Sequence, residues 1–228
     1  MKNKTKQEQW NSVYNNFTGN RASVWREDAT PFFTDKIDYL RYKKIKTVLD
    51  AGCGDGRNLM AFAKAGFSVT GVDISDIALK RCKSNLKSTK NVTLKRGLLE
   101  EMNLKPGSFG AIICDFVLVH VEDVERVISN FYKVLKPGGF ALLEFISTKD
   151  ERCNKGKRVG KNKYIQHGVF IRSYDLKDIE TLMKKFRILF VESQHYTDPD
   201  HGSGYHRKHR HTHHSYFVVA QKNNPTSS

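Results

Sequence analysis

The sequence predicts an α/β fold, a mostly parallel sheet with helices on both faces, carried by one domain. Three observations point there. The apolar run 45–51 passes directly into Gly52-x-Gly54-x-Gly56 and then into the helical pattern of Leu59, Met60, Phe62 and Ala63, which reads as strand, glycine turn, helix. A second apolar run, 67–72, closes on Asp73, about 20 residues beyond the glycine turn, where nucleotide-type α/β folds place an acid on the ribose. A third unit runs from the apolar stretch 109–116 through a helical segment to a Pro-Gly-Gly break and another apolar stretch, 140–146. Strands alternating with helices build a parallel sheet.

The 228 residues fit a single domain, read as a helical cap (1–44), a cofactor-binding half (45–146), a substrate-side half (147–222) and a tail (223–228). A hydrophobic fraction of 39% is enough for a sizeable core. No apolar run approaches the roughly 20 residues of a membrane span. The polar start, Met1 to Gln9, has no signal-type apolar core, so a cytoplasmic protein with no membrane partner is expected. The four cysteines are scattered and form no CxxC pair, which argues against a zinc ribbon or a disulfide framework. A net charge of +15 allows a nucleic-acid partner, although a lysine-rich surface accounts for most of it.

Taken in order, 4–17 and 31–42 read as helices, the second with Thr30 as cap and Pro31 in its first turn. Helix 58–66 follows the glycine turn. Strand 67–72 leads to Ser75 as cap of helix 77–86. Strand 91–95 precedes the turn holding Leu98 and Leu99. Strand 109–116 is followed by Val117-Leu118-Val119-His120-Val121, helix 123–135, Lys136-Pro137-Gly138-Gly139 and strand 140–146. Residues 149–168, polar and basic, read as a long loop. Helix 174–186, with Ser173 as cap, precedes two strands, 187–196 and 215–222. The histidine-rich stretch 201–214 between them reads as a loop.

Asp50 sits two residues before the first glycine. An acid there would repel a pyrophosphate and suits a ligand that is cationic at that point. The glycine turn with Asp50, the later Asp73, the "VLVHV" run and "VLKPGG" stand in the order and spacing of one family. Over residues 46–146 the chain resembles the class I S-adenosylmethionine-dependent methyltransferases, nearest the compact single-domain small-molecule group of tellurite-resistance and thiopurine type. Two positions depart from the pattern: Leu98 where an acid often stands near the adenine, and Gly110 where an acid often follows the phenylalanine.

The resemblance implies a Rossmann-like seven-stranded sheet closed by an antiparallel C-terminal hairpin. It implies S-adenosyl-L-methionine as cofactor, with Gly52, Cys53, Gly54, Gly56 and Asn58 under its methionine part. Asp50 would face the ammonium and Asp73, followed by Ile74, the ribose. Leu98 and Leu99 would bracket the adenine, and Asp115 and Phe116 would line the transfer region.

Methyl transfer from a sulfonium needs alignment and exclusion of water more than acid–base chemistry, so no catalytic residue is assigned. His120, His167 and His195 are candidates for a base, and His120 is read first as a packed histidine beside the fourth strand. Candidate acceptor contacts are Tyr14 and Trp25 in the cap, Arg172, and His201, His206 and His209. The alternation of His209, His211 and His213 puts them on one face of an extended chain. With no acid or cysteine seen nearby, no metal is assigned.

The function expected is methyl transfer to a small, polar or anionic acceptor. The alternative is an RNA or tRNA methyltransferase. A second alternative, from a different class, is a non-catalytic protein that binds S-adenosylmethionine or, through the histidine-rich stretch, metal.

Overall fold

The strand that enters the glycine turn alternates its side chains between two layers. Val48 packs with one buried cluster and Leu49 with the other, as the period of two in a strand requires. The computed structural model describes residues 5–17, 23–26, 28–87, 89–198 and 210–224. Its main sheet has seven strands: β1 (Thr47–Ala51), β2 (Ser68–Asp73), β3 (Val92–Arg96), β4 (Phe109–Cys114), β5 (Leu135–Ile146), β9 (Phe186–Asp198) and β10 (His211–Lys222). Their spatial order is β3-β2-β1-β4-β5-β10-β9. The first five are parallel, and β10 runs antiparallel between β5 and β9. This is the Rossmann-like sheet with its closing hairpin.

Strand order reverses between β1 and β4. In open α/β sheets a crevice opens there, beyond the carboxyl ends of the strands. One face of the sheet is covered by α2 (Pro31–Thr34), α3 (Ile37–Tyr42), α4 (Arg57–Lys64) and α5 (Asp76–Leu86), through Phe33, Leu40, Phe62 and Cys82. The other is covered by α6 (Val124–Val134) and α7 (Leu176–Leu182), through Val127, Phe131 and Ile179. The first helix, α1 (Lys6–Asn15), opens on a capping box between Thr5 and Glu8. It lies beyond the crevice, where Tyr14 packs with Phe17, Val24 and Ala78.

The structure corrects four expectations. The helix expected over 31–42 is two, broken at Asp35-Lys36. The break lets Phe32 meet Phe217 at 4.7 Å while Tyr39 meets Phe140 at 5.5 Å. Residues 149–168 are not one loop. They contain β6 (Lys157–Gly160) and β7 (Lys163–Gln166), which with β8 (Val169–Arg172) form a separate antiparallel sheet. The turn between β7 and β8 is His167-Gly168, both at positive φ (49° and 80°), the two-residue geometry that suits a hairpin. The last helix starts at Leu176, capped by Asp175 in a capping box with Asp178, rather than at Tyr174 capped by Ser173. Finally, β9 and β10 are longer than expected, so His211, His213 and His214 lie in a strand, not in a loop. All four cysteines are free. Among the described residues no helix is long and apolar enough to cross a membrane.

Candidate active site

The turn after β1 is held by its neighbour strand: the Gly52 and Cys53 N–H groups both donate to the Val72 carbonyl (2.7 and 3.0 Å). Gly54 and Gly56 have φ of +54° and +94°, a region that costs other residues about 1–2 kcal/mol. A Cβ on Gly56 would stand 2.5 Å from the Cys82 sulfur, so glycine also lets α4 and α5 approach. The turn therefore presents backbone to a cleft of about 1230 Å³, mouth included, at the reversal of strand order.

Asp73, at the end of β2, is fixed by the Gly54 N–H on one oxygen and the Ser75 N–H on the other, both at 2.8 Å. Burial raises its pKa to about 6, and these N–H groups restrain the rise. Each carboxylate oxygen keeps lone-pair capacity for a hydroxyl donor from the cleft. Asp50, 2% exposed, is pushed to about 8 by burial and then by Asp115. Its Oδ2 is buried with no hydrogen-bond partner among the described residues.

Asp115, beyond the end of β4, accepts on Oδ2 from the Thr30 hydroxyl (2.7 Å), the Asn58 amide (2.7 Å) and the Arg57 guanidinium (2.5 Å). Burial opposes its charge, but Arg57 leads the contacts that hold its pKa below the usual carboxylate range. Beside it, burial and then Asp115 raise Glu144 to about 8. Glu144 accepts from the Phe116 N–H (2.7 Å), the Ser215 hydroxyl (2.6 Å) and the Tyr196 hydroxyl (2.5 Å). Of the two, Asp115 thus favours the charged form and Glu144 the neutral one. Phe116 itself has φ +59°, a strained backbone pinned by the Glu144 contact.

Of the twelve residues expected at the cofactor, eleven line this one cleft, and Gly56 stands behind it against Cys82. Tyr14, Trp25 and His120 line it too. His120 is anchored through Nδ1 to the Phe170 carbonyl (3.0 Å) and meets Trp10 edge-on at 4.8 Å. Three expected residues do not come to the cleft. Arg172 pairs with Glu125 (3.2 Å) in a shallow groove between α6 and α7. His167 and His195 are exposed outside it. His201, His206 and His209 fall outside the described residues.

Sequence reasoning missed a second group. Asp55 stands inside the glycine motif and Arg57 directly after it, and Glu144 is a lone acid within an apolar strand, a readable sign of a buried polar contact. Arg26, Tyr196 and Asp198 also line the cleft. Arg26 lies 4.4 Å over the Tyr196 ring and pairs with Asp198 at 2.5 Å. The expectation that no acid stands near the alternating histidines is also corrected. Asp198 is the register partner of His211 across the β9–β10 hairpin, and Asp198, His211 and His213 each bring one ligand atom within 4.8 Å of the others.

Comparison with known proteins agrees with this architecture. Residues 49–143 match the family model described as a methyltransferase domain. Ubiquinone biosynthesis O-methyltransferase of Pseudomonas paraeruginosa is 35% identical over 122 residues, 53% of each chain. Its namesake in Nitrosomonas europaea is 37% identical over 105 residues, 45% of this chain and 43% of that one. The chain thus spans about half the length of the curated relatives it matches. Among solved structures, an S-adenosylmethionine-dependent methyltransferase of Methanosarcina mazei superposes with a TM-score of 0.70 at 19% identity, covering 86% of this chain and 99% of that one. TehB of Haemophilus influenzae superposes with a TM-score of 0.62 at 17% identity, covering 83% and 62%; at these identities the likeness is one of fold. Residues 49–143 thus match a methyltransferase domain, and the fold is the one seen in class I S-adenosylmethionine-dependent methyltransferases.

Proposed function

We propose that this protein transfers a methyl group from S-adenosylmethionine to a small, polar or anionic acceptor. The observation that carries the reading is Asp50. A buried carboxylate oxygen with no hydrogen-bond partner among the described residues belongs to a side chain that lines the cleft beneath a glycine turn. A cationic ligand group satisfies it and offsets the cost of its burial. In this reading Asp73 accepts from the ribose hydroxyls, and the turn of Leu98 and Leu99 flanks the adenine. Bound there, the cofactor supplies a methyl on a sulfonium, a good leaving group. The protein's own work is to hold the acceptor in line and keep water out.

The acceptor end is the part of the cleft beyond Asp115 and Phe116, walled by Arg26, Trp25, His120, Tyr196 and Asp198. Its mixture of cationic, aromatic and carboxylate groups suits a small polar molecule. The ubiquinone biosynthesis enzymes among the relatives act on small molecules by name, which agrees in kind. Calorimetric titration with S-adenosylmethionine and S-adenosylhomocysteine tests the reading. Micromolar binding that Asp73→Ala weakens is expected, and no binding at millimolar ligand overturns it.

A second reading, an RNA acceptor, draws on the net charge of +15 and on the exposed Lys157 and Arg158 of the small sheet. Phosphate contacts weaken steeply with salt. Retention of bulk tRNA at moderate ionic strength would favour that reading, and its loss favours the small acceptor.

A further inference from the structure

We propose that Asp198, His211 and His213 form a binding site for one divalent transition-metal ion of the zinc class, at the acceptor end of the cleft. The two histidines alternate along β10 and so share a face, and Asp198 stands opposite His211 on β9. All three ride on paired strands, which fixes their relative positions before any ligand arrives. Asp198 Oδ2 lies 3.5 Å from His213 Nε2 and 4.0 Å from His211 Nε2. Three ligand atoms about 2.1 Å from a tetrahedral ion stand about 3.4 Å apart; the Asp198–His213 pair already has that spacing, and the three atoms, all within 4.8 Å of one another, close on a metal by contracting. Two imidazoles and one carboxylate are a donor set suited to zinc, iron, cobalt or manganese.

The surroundings are those of a metal histidine. His213, fully buried, donates Nδ1–H to Asp150 Oδ2 at 2.9 Å. Asp150 is itself fixed by the backbone N–H groups of His214 (2.9 Å) and Arg152 (3.0 Å). A carboxylate on Nδ1 sets the tautomer, raises the basicity of the ring and leaves the Nε2 lone pair directed at the triad.

Arg26 donates to the other oxygen of Asp198, Oδ1, and Oδ2 is the oxygen that faces the two histidines. Arg152 Nη2 is 3.5 Å from His213 Nε2, too long for a firm hydrogen bond, and its guanidinium is stacked 4.6 Å over Phe116. It is the group that yields when an ion enters. Among the described residues Arg26 pairs with Asp198 and Arg152 with Asp150, so a divalent ion adds positive charge that an anionic ligand would offset. Three protein ligands leave a coordination position open. Because Asp198 belongs to the cleft wall, an oxygen of an anionic acceptor is the group that would fill it. That last step rests on the methyl-transfer reading; metal binding does not.

The test uses full-length protein made without a polyhistidine tag, stripped with chelator and titrated with Co²⁺ while its visible absorption is followed. One ion per chain with a d–d band is expected. His211→Gln and His213→Gln should each weaken binding at least about 100-fold, and Asp150→Asn by about 10-fold, as for an outer-shell partner. A variant with His201, His206 and His209 all changed to Gln should bind as the parent does. Loss in that variant, or an unchanged band in His213→Gln, overturns the site. Should a histidine variant fail to fold by circular dichroism, the near-isosteric Asp198→Asn carries the same expectation. S-adenosylmethionine binding, measured on the same samples, separates failure of this site from failure of the methyltransferase reading.

Discussion

The Tyr14 hydroxyl stands 2.5 Å from where a Cβ on Gly54 would be. The helix of the N-terminal cap is thus seated directly on the glycine motif, and the same hydroxyl accepts from Trp25 Nε1 at 3.1 Å. Gly54→Ala therefore meets two penalties, a left-handed backbone at +54° and displacement of Tyr14. A loss of about 1–3 kcal/mol is expected in urea unfolding, with a change in tryptophan fluorescence as Trp25 loses its partner. A Gly54→Ala protein with parental stability and emission would show that the cap is not seated there.

Asp73 holds the turn and faces the cleft at once. In Asp73→Ala the Gly54 and Ser75 N–H groups lose their acceptor, and the proposed ribose contacts disappear. Hydrogen bonds to charged groups contribute about 1.5–3 kcal/mol, so affinity for S-adenosylmethionine should fall about 10- to 100-fold. Asp73→Asn, which keeps an acceptor oxygen, should lose less. A change under threefold in the alanine variant, measured by calorimetry on folded protein, would remove Asp73 from the binding site.

Asp50 makes the site sensitive to pH. Its pKa is about 8 in the folded chain against an ordinary 3.8, so folding favours its neutral form. The stability this contributes is complete below pH 3.8 and is lost as pH rises through about 8. The melting temperature of the ligand-free protein should therefore fall between pH 6 and 8. Asp50→Asn should flatten that slope, leaving the share of Glu144, also raised to about 8. A cationic ligand reverses the preference, because it needs the carboxylate. Affinity for S-adenosylmethionine should tighten up to about tenfold from pH 6 to 7. An affinity independent of pH over that range would contradict the pairing of Asp50 with a cation.

The parallel half of the sheet was legible because its strands announce themselves as apolar runs, two of them with a definite stop: the glycine turn after Ala51, and Asp73. The same stretch carries the turn and acids that line the cleft, since a short βα unit puts its site beside its own strand ends. The small sheet β6–β8 was not legible. Its strands are four residues long and lie in a polar, basic stretch, and the His167-Gly168 turn is a weak signal on its own. The triad of Asp198, His211 and His213 was hidden for another reason. A hairpin joins residues thirteen apart by register, and sequence proximity does not reveal register when the connection between the strands is long. Glu144 lies between: its place in an apolar strand was visible, but its partners Phe116, Tyr196 and Ser215 come from three other segments.

Asp55 ties the cap to the motif from the other side. It accepts from the Ser23 hydroxyl at 2.9 Å and the Val24 N–H at 2.7 Å, all three residues being buried. Its pKa is raised by burial, against the pull of those two donors. Asp55→Ala leaves a buried N–H and a buried hydroxyl without their acceptor, at about 1–3 kcal/mol each, where the rest of the sheet is untouched. The expected result is local. Limited proteolysis should release the segment ahead of Pro31 faster than in the parent, while the far-ultraviolet circular dichroism of the sheet persists. Affinity for S-adenosylmethionine should drop with the loss of Trp25 and Tyr14 from the cleft wall. Equal protease resistance in the two proteins would mean that the cap is held without Asp55, by its apolar contacts with Ala78 and Ile77 and by the hydrogen bonds of Gln7 and Asn11 to Asp76.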